Sequence, residues 1–157
     1  LLVEQALRLR ELGRSAAEIA AELEEKKSRV MLLGLVDTLE YFYRGGRLSR
    51  TGKIAGTLLG FKPLLMLRDG ALTMLGKARG SSAGIELLLR EVEQRGCIDP
   101  SAPVYFGYTL TDEKCRMLRS RAVERFALRE PAMFSVGCVI GTHAGPGACV
   151  FTYLAQK

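Results

Sequence analysis

The chain has 157 residues, 48% of them apolar and 25% charged, with 23 basic against 17 acidic side chains and a single histidine. That length and apolar share are those of one globular unit with a buried core, which excludes a disordered chain, and no stretch reaches the ~20 apolar residues a transmembrane helix needs. The four cysteines, Cys97, Cys115, Cys138 and Cys149, lack the spacing of a zinc site, so reduced and buried thiols in a cytoplasmic protein are expected.

Leu2, Ala6 and Leu9 fall at helical spacing, with Gly13 as the stop. Ser15 and Glu18 form a capping box that opens a second helix carrying Ile19, Ala20 and Leu23, so a helical hairpin is predicted at the start. Val30 to Val36 is a continuous apolar run, the pattern of a strand covered on both faces. Asp37 is placed to cap a short helix from Thr38 to Arg44, which Gly45-Gly46 must stop, leaving Arg47 at its exit. Ser49 can cap a further helix to about Leu59.

Lys62 to Leu67 and Ala71 to Gly76 flank Arg68-Asp69-Gly70, a hairpin signal. Ser81 is expected to cap an amphipathic helix through Ile85, Leu88, Leu89 and Val92 that ends at Gly96. Val104 to Thr109 reads as a strand. The run from Asp112 to Leu128 reads as a helix on which Lys114, Arg121 and Arg125 share an outer face beside an apolar stripe of Cys115, Leu118, Ala122 and Phe126. Met133 to Ile140 and Ala148 to Leu154 read as two more strands. Between them, Gly141-Thr142-His143-Ala144-Gly145-Pro146-Gly147 is expected to be a turn that points Thr142 and His143 at a bound group, its glycines letting the backbone come close. If the two strands pair directly, Cys138 and Cys149 come near one another. Strands interleaved with helices and one hairpin imply an α+β fold, a mixed sheet with helices packed on it.

Four of these runs, in this order, resemble the DegV family, whose members bind fatty acids and serve as substrate carriers for bacterial fatty acid kinase. They are Asp37-Thr38-Leu39-Glu40-Tyr41 with Gly45-Gly46-Arg47-Leu48-Ser49, Lys62-Pro63-Leu64-Leu65 leading to Asp69-Gly70, the basic pair Lys77 and Arg79, and the closing Gly141-Thr142-His143-Ala144-Gly145-Pro146-Gly147-Ala148. The resemblance implies that residues 1–29 are a helical segment bridging to an absent N-terminal α/β half, and that residues 30–157 are the C-terminal domain of a protein about twice as long. It implies a lipid-binding carrier and not an enzyme: a long-chain fatty acid is bound, and its carboxylate is presented to a separate fatty acid kinase for phosphorylation to the acyl-phosphate. No catalytic residue, metal or cofactor is expected in the chain. No Gly-x-x-x-x-Gly-Lys-[Ser/Thr] loop is present, so the kinase must bring the ATP.

Within that reading Thr142 and His143 donate hydrogen bonds to the carboxylate. Arg47 and Arg79 are the family's arginines, suited to phosphate oxygens during transfer. Burial of the acyl tail stabilises by ~0.8 kcal/mol per methylene, and Leu58, Leu59, Phe61, Leu64, Met66, Met74, Met133, Phe134, Val136 and Ile140 offer a lining. Two other readings stay open at this level. The basic helix face suits a phosphate- or nucleic-acid-binding module, and Cys138 or Thr142 near His143 suits an uncharacterised hydrolase, although no carboxylate orienter stands out. Basic and aromatic residues do not interleave as stacking on bases requires, so nucleic acid is not an expected partner. A membrane is expected to be touched transiently at most.

Overall fold

The structure, a computed structural model, describes residues 1–48, 60–68, 70–129 and 131–156. The expected helix from Ser49 to Leu59, the lining residues Leu58 and Leu59, and Asp69 of the hairpin turn lie outside the described residues.

The opening hairpin forms as read, α1 (Leu2–Glu11) followed by α2 (Ala16–Lys27). Gly13 between them takes φ +77°. Ser15 Oγ accepts from the Glu18 amide while the Glu18 carboxylate accepts from the Ser15 amide, so two of the helix's otherwise orphaned N–H ends are satisfied. At the exit of α2, Arg29 pins the hairpin to the sheet through Asp99 at 2.8 Å and the Ala155 carbonyl at 2.7 Å.

Among the described residues six strands follow: β1 (Val30–Leu35), β2 (Phe61–Arg68), β3 (Ala71–Arg79), β4 (Tyr105–Tyr108), β5 (Ala132–Ser135) and β6 (Cys149–Leu154). They make one sheet in the order β3-β2-β1-β6-β4-β5, antiparallel except for the parallel β4–β5 pair. The α+β reading and its mixed sheet therefore hold. β1 lies between β2 and β6, so both of its backbone edges are paired.

Side chains alternate across the sheet and divide the core in two. One face carries Leu33, Leu35, Leu64, Phe106, Cys149, Phe151 and Tyr153, covered by α4 (Gly80–Gln94) through Ile85, Leu88, Leu89 and Val92, and by α5 (Glu113–Phe126) through Cys115, Leu118 and Ala122. The Phe151 ring stacks on Phe106 at 4.7 Å. On the other face a smaller cluster of Val36, Leu39, Phe42, Leu65, Ala144 and Ala148 seats two short helices, α3 (Glu40–Arg44) and α6 (Cys138–Ala144).

Several local expectations change. Asp37 is not the cap of α3; the Thr38 hydroxyl accepts from the Glu40 amide, and the helix starts two residues later than read. Ser81 caps nothing, because β3 runs to Arg79 and α4 begins directly at Gly80, whose φ of +80° makes the corner. The strand read over Met133 to Ile140 ends at Ser135, and the segment then coils into α6. Gly141 to Ala144 therefore belong to a helix, and the turn is confined to Gly145–Gly147. Cys138 and Cys149 are free, because α6 separates them and β4 lies between β5 and β6.

Phe151→Ala should lower stability by about 3–5 kcal/mol, read from the urea midpoint, since the ring is wholly buried among three aromatic neighbours. Val139→Ala, at a residue 74% exposed, should stay within about 0.5 kcal/mol of the parent.

Candidate functional site

The first and last motifs, over Asp37 to Gly46 and Gly141 to Gly147, are more than ninety residues apart in sequence and lie against each other, running in opposite directions. Their contact is an interlock of side chains into glycine positions. The Asp37 carboxylate leaves no room for a Cβ on Gly147, which would stand 2.7 Å from its Oδ2. The Tyr41 ring fills the same place at Gly145. In the opposite sense the His143 imidazole fills it at Gly45. Gly145 and Gly147 also need φ of +75° and +69°, which only glycine adopts without strain.

Thr109, 5% exposed at the end of β4, fastens the turn from beneath. Its hydroxyl donates to the Gly145 carbonyl at 2.5 Å and accepts from the Ala148 amide at 2.9 Å. Its own amide donates to the Ala148 carbonyl, and its carbonyl accepts from the Gly147 amide. Leu110, next in line, is forced to φ +64°. Nothing in the sequence pattern singles out Thr109, a polar residue at a strand end.

Lys114 and Lys62 both bond the Asp37 carboxylate, Lys62 at 2.9 Å, and Lys114 also donates to the Gly147 carbonyl at 2.5 Å. Burial works to raise the Asp37 carboxyl, but the bonds and charges of Lys114 and Lys62 outweigh it and hold it below the usual range. Lys114 is thus turned inward, against the expectation of an outer basic face. The other cations of α5 are also engaged: Arg116 with Asp112, Arg119 with the Pro131 carbonyl, Arg121 with Ser82, and Arg125 with Glu86 and Glu93. That stripe ties α5 down and is not a row of free cations for phosphates.

Of the four residues singled out in sequence, His143 and Arg47 both touch Gly45. The imidazole lies on Gly45, and the Arg47 guanidinium donates to the Gly45 carbonyl at 2.8 Å. His143 Nδ1 is buried against Gly45 with no hydrogen-bond partner, so Nε2 is the ring nitrogen left to meet a ligand. Thr142 is exposed on α6 and its hydroxyl donates to the Cys138 carbonyl of its own helix, so it does not join His143 in one donor pair. Arg79 is exposed at the end of β3, opposite Phe61 and just before the corner at Gly80.

The orphaned Nδ1 also bears on the hydrolase reading, because a base that activates a nucleophile needs a group to orient that nitrogen. None is present among the described residues. The buried thiols are equally unsuited: desolvation pushes Cys115 up to about 11 and Cys149 to about 12. No cluster of metal-ligating side chains occurs among the described residues.

Beside the interlock, two rows cross the sheet on the same face. One runs Met74, Leu65, Gly34, Val150, Gly107, Phe134; the next runs Leu72, Leu67, Leu32, Thr152, Tyr105, Ala132. Leu65, Leu72 and Met74 pack under α3, whereas Val150, Thr152 and Tyr105 stay half-buried and Phe134 is 47% exposed. Gly34 and Gly107 lower the floor of that face. Of the lining residues suggested by sequence, Leu64 and Met133 belong to the opposite core, Met74 and Phe134 lie on these rows, and Val136 reaches over Gly107.

Thr109→Val keeps the shape and removes both hydroxyl bonds, leaving a buried N–H and C=O unpaired at a cost of about 1–3 kcal/mol each; the Ala148 amide should exchange faster with solvent. Because the Asp37 carboxyl is lower in the folded state, its contribution to stability is full above the ordinary carboxylate range. It is lost as pH falls through the depressed folded value, so Asp37→Asn should flatten the acid limb of a stability–pH curve.

The family model described as uncharacterised protein, DegV family, matches residues 1–156. A DegV domain-containing protein of Clostridium perfringens is 30% identical over 157 residues, 99% of this chain and 54% of the relative. Among solved structures, a DegV family protein from Thermus thermophilus, described for its fatty acid binding, is 30% identical with a TM-score of 0.85, over 99% of this chain and 56% of that one. The fatty acid kinase (Fak) B3 protein of Streptococcus pneumoniae, loaded with linoleic acid, shares the fold at 21% identity, with a TM-score of 0.88 over 99% of this chain and 55% of that one. The chain spans about half the length of the curated relatives it matches. With the family model covering nearly every residue and the interlocked motifs in place, the chain belongs to the DegV family.

Proposed function

We propose that this chain is part of a carrier that binds a long-chain fatty acid and presents its carboxylate to a separate fatty acid kinase, which forms the acyl-phosphate with its own ATP. The observation that carries this reading is that His143 and Arg47 both contact Gly45. A donor for a carboxylate and a guanidinium for phosphate oxygens are then neighbours, the pairing that formation of an acyl-phosphate requires. The fatty acid binding of the Thermus thermophilus relative, at 30% identity, supports the ligand class.

The tail lies along the half-open rows around Val150, Gly107 and Phe134, where removal of each methylene from water stabilises by ~0.8 kcal/mol. His143 holds the head through Nε2. Thr142 joins it only by giving up its bond to Cys138. Arg47 and Arg79 serve the kinase step and not lipid uptake, as cations that neutralise charge on the transferring group. The carrier has no catalytic residue or cofactor of its own. Residues 1–29 bridge to an N-terminal α/β half that completes the site. Four unpaired cysteines accord with a cytoplasmic setting, and no described helix is long and apolar enough to cross a membrane.

In the full-length protein, His143→Ala should weaken fatty acid binding by about 1.5–3 kcal/mol, the worth of a hydrogen bond to a charged acceptor, measured by calorimetry with thermal melting as the folding control. Parent-like affinity in that variant sinks the head-group assignment. Arg47→Ala and Arg79→Ala should bind lipid normally yet slow kinase-dependent acyl-phosphate formation; full activity in both makes them ordinary surface cations.

A further inference from the structure

We propose that Gly45 is a positioning residue for His143, and that it is glycine because the imidazole occupies the space of its missing side chain. This rests on the reading of His143 as the carboxylate donor.

The Gly45-Gly46 pair ends α3, and the two glycines do different work. Gly46 has φ +67°, the left-handed turn that stops the helix, and a Cβ there would meet nothing within 4 Å. Backbone conformation alone accounts for it. Gly45 has φ −78° and ψ −1°, ordinary helical backbone that any residue adopts. Alanine at this position would favour the helix. What forbids it is the ring: a Cβ built on Gly45 falls inside the imidazole, against Nδ1 and Cε1. The requirement for glycine therefore comes from His143 across the interface between α3 and α6, and not from the turn.

The seat fixes more than position. With Nδ1 closed against Gly45 and without a partner, the ring cannot present that nitrogen to a ligand and offers Nε2. The Arg47 guanidinium bonds the carbonyl of the same residue. A side chain at Gly45 must push the imidazole off this seat, turning Nε2 away from the direction in which a carboxylate is met and leaving the fold of the sheet untouched.

The test uses Gly45→Ala, His143→Ala and the double variant in the full-length protein. Two readouts serve: the affinity for cis-parinaric acid, and the imidazole NMR signal of His143, assigned by its loss in His143→Ala. Gly45→Ala is expected to shift that signal and to weaken binding about tenfold, the scale of one charge-assisted hydrogen bond, with little change in melting temperature. The double variant is expected to bind no more weakly than His143→Ala, because Gly45 acts only through the ring. An unmoved imidazole signal in Gly45→Ala overturns the proposal, as does a double variant whose losses multiply. If Gly45→Ala does not fold but the double variant does, the clash with the ring is borne out; if neither folds, Gly45 is a plain structural glycine and the proposal fails. Should His143→Ala bind like the parent, the head-group reading fails by itself, and the imidazole signal still decides whether Gly45 seats the ring.

Discussion

The close approach of α3 to the turn after α6 is the constraint on which the rest of the molecule depends. Two backbone segments meet so tightly that a side chain from one leaves no room for a Cβ on the other at three places: Asp37 at Gly147, Tyr41 at Gly145 and His143 at Gly45. Packing of this density tolerates no added methylene without displacement. It sets the rotation of α6, hence the direction of the imidazole, and it holds the second, smaller core over the sheet. The large core on the opposite face is built mainly from aliphatic and aromatic side chains, with one close approach of its own, Leu35 against Gly84. The interlock is built from shapes that have no substitute.

Charge reinforces the same contact. Asp37 is the common acceptor of Lys62 from β2 and Lys114 from α5, and Lys114 continues to the Gly147 carbonyl. Three elements distant in sequence are thereby drawn to one carboxylate. Thr109 does with neutral groups what Asp37 does with charge, closing the Gly145–Ala148 turn by four hydrogen bonds through its hydroxyl and its backbone. The arginines of α5 are held in such internal ties, which is why the basic sequence of that helix does not translate into a row of free cations.

The sheet contributes a surface. Glycines at Gly34 and Gly107 fall in one cross-strand row, and that row passes from the covered cluster beneath α3 to the half-exposed Val150 and Phe134. Polar chemistry is thus concentrated at one end of an apolar face, with His143 and Arg47 on Gly45 beside it. An amphiphile with a long tail and a single acidic head has that same division.

By itself the sequence determined the elements whose signals are local. The capping box at Ser15, the apolar run of β1, the β2–β3 hairpin and the stripe of Cys115, Leu118 and Ala122 all form as read, because capping and periodicity act within a few residues. The motifs themselves, from Asp37-Thr38-Leu39-Glu40-Tyr41 to Gly141-Thr142-His143, were legible as a family resemblance. Tertiary structure alone decided what those residues touch. It turned an expected strand end into α6. It drew Lys114 inward to Asp37, and gave Thr109 a role that no pattern announces. It also separated the two glycines after α3, one required by its own φ and the other by a histidine ninety-eight residues away. Local rules see the chain a few residues at a time; the space a side chain occupies on another segment exists only after folding.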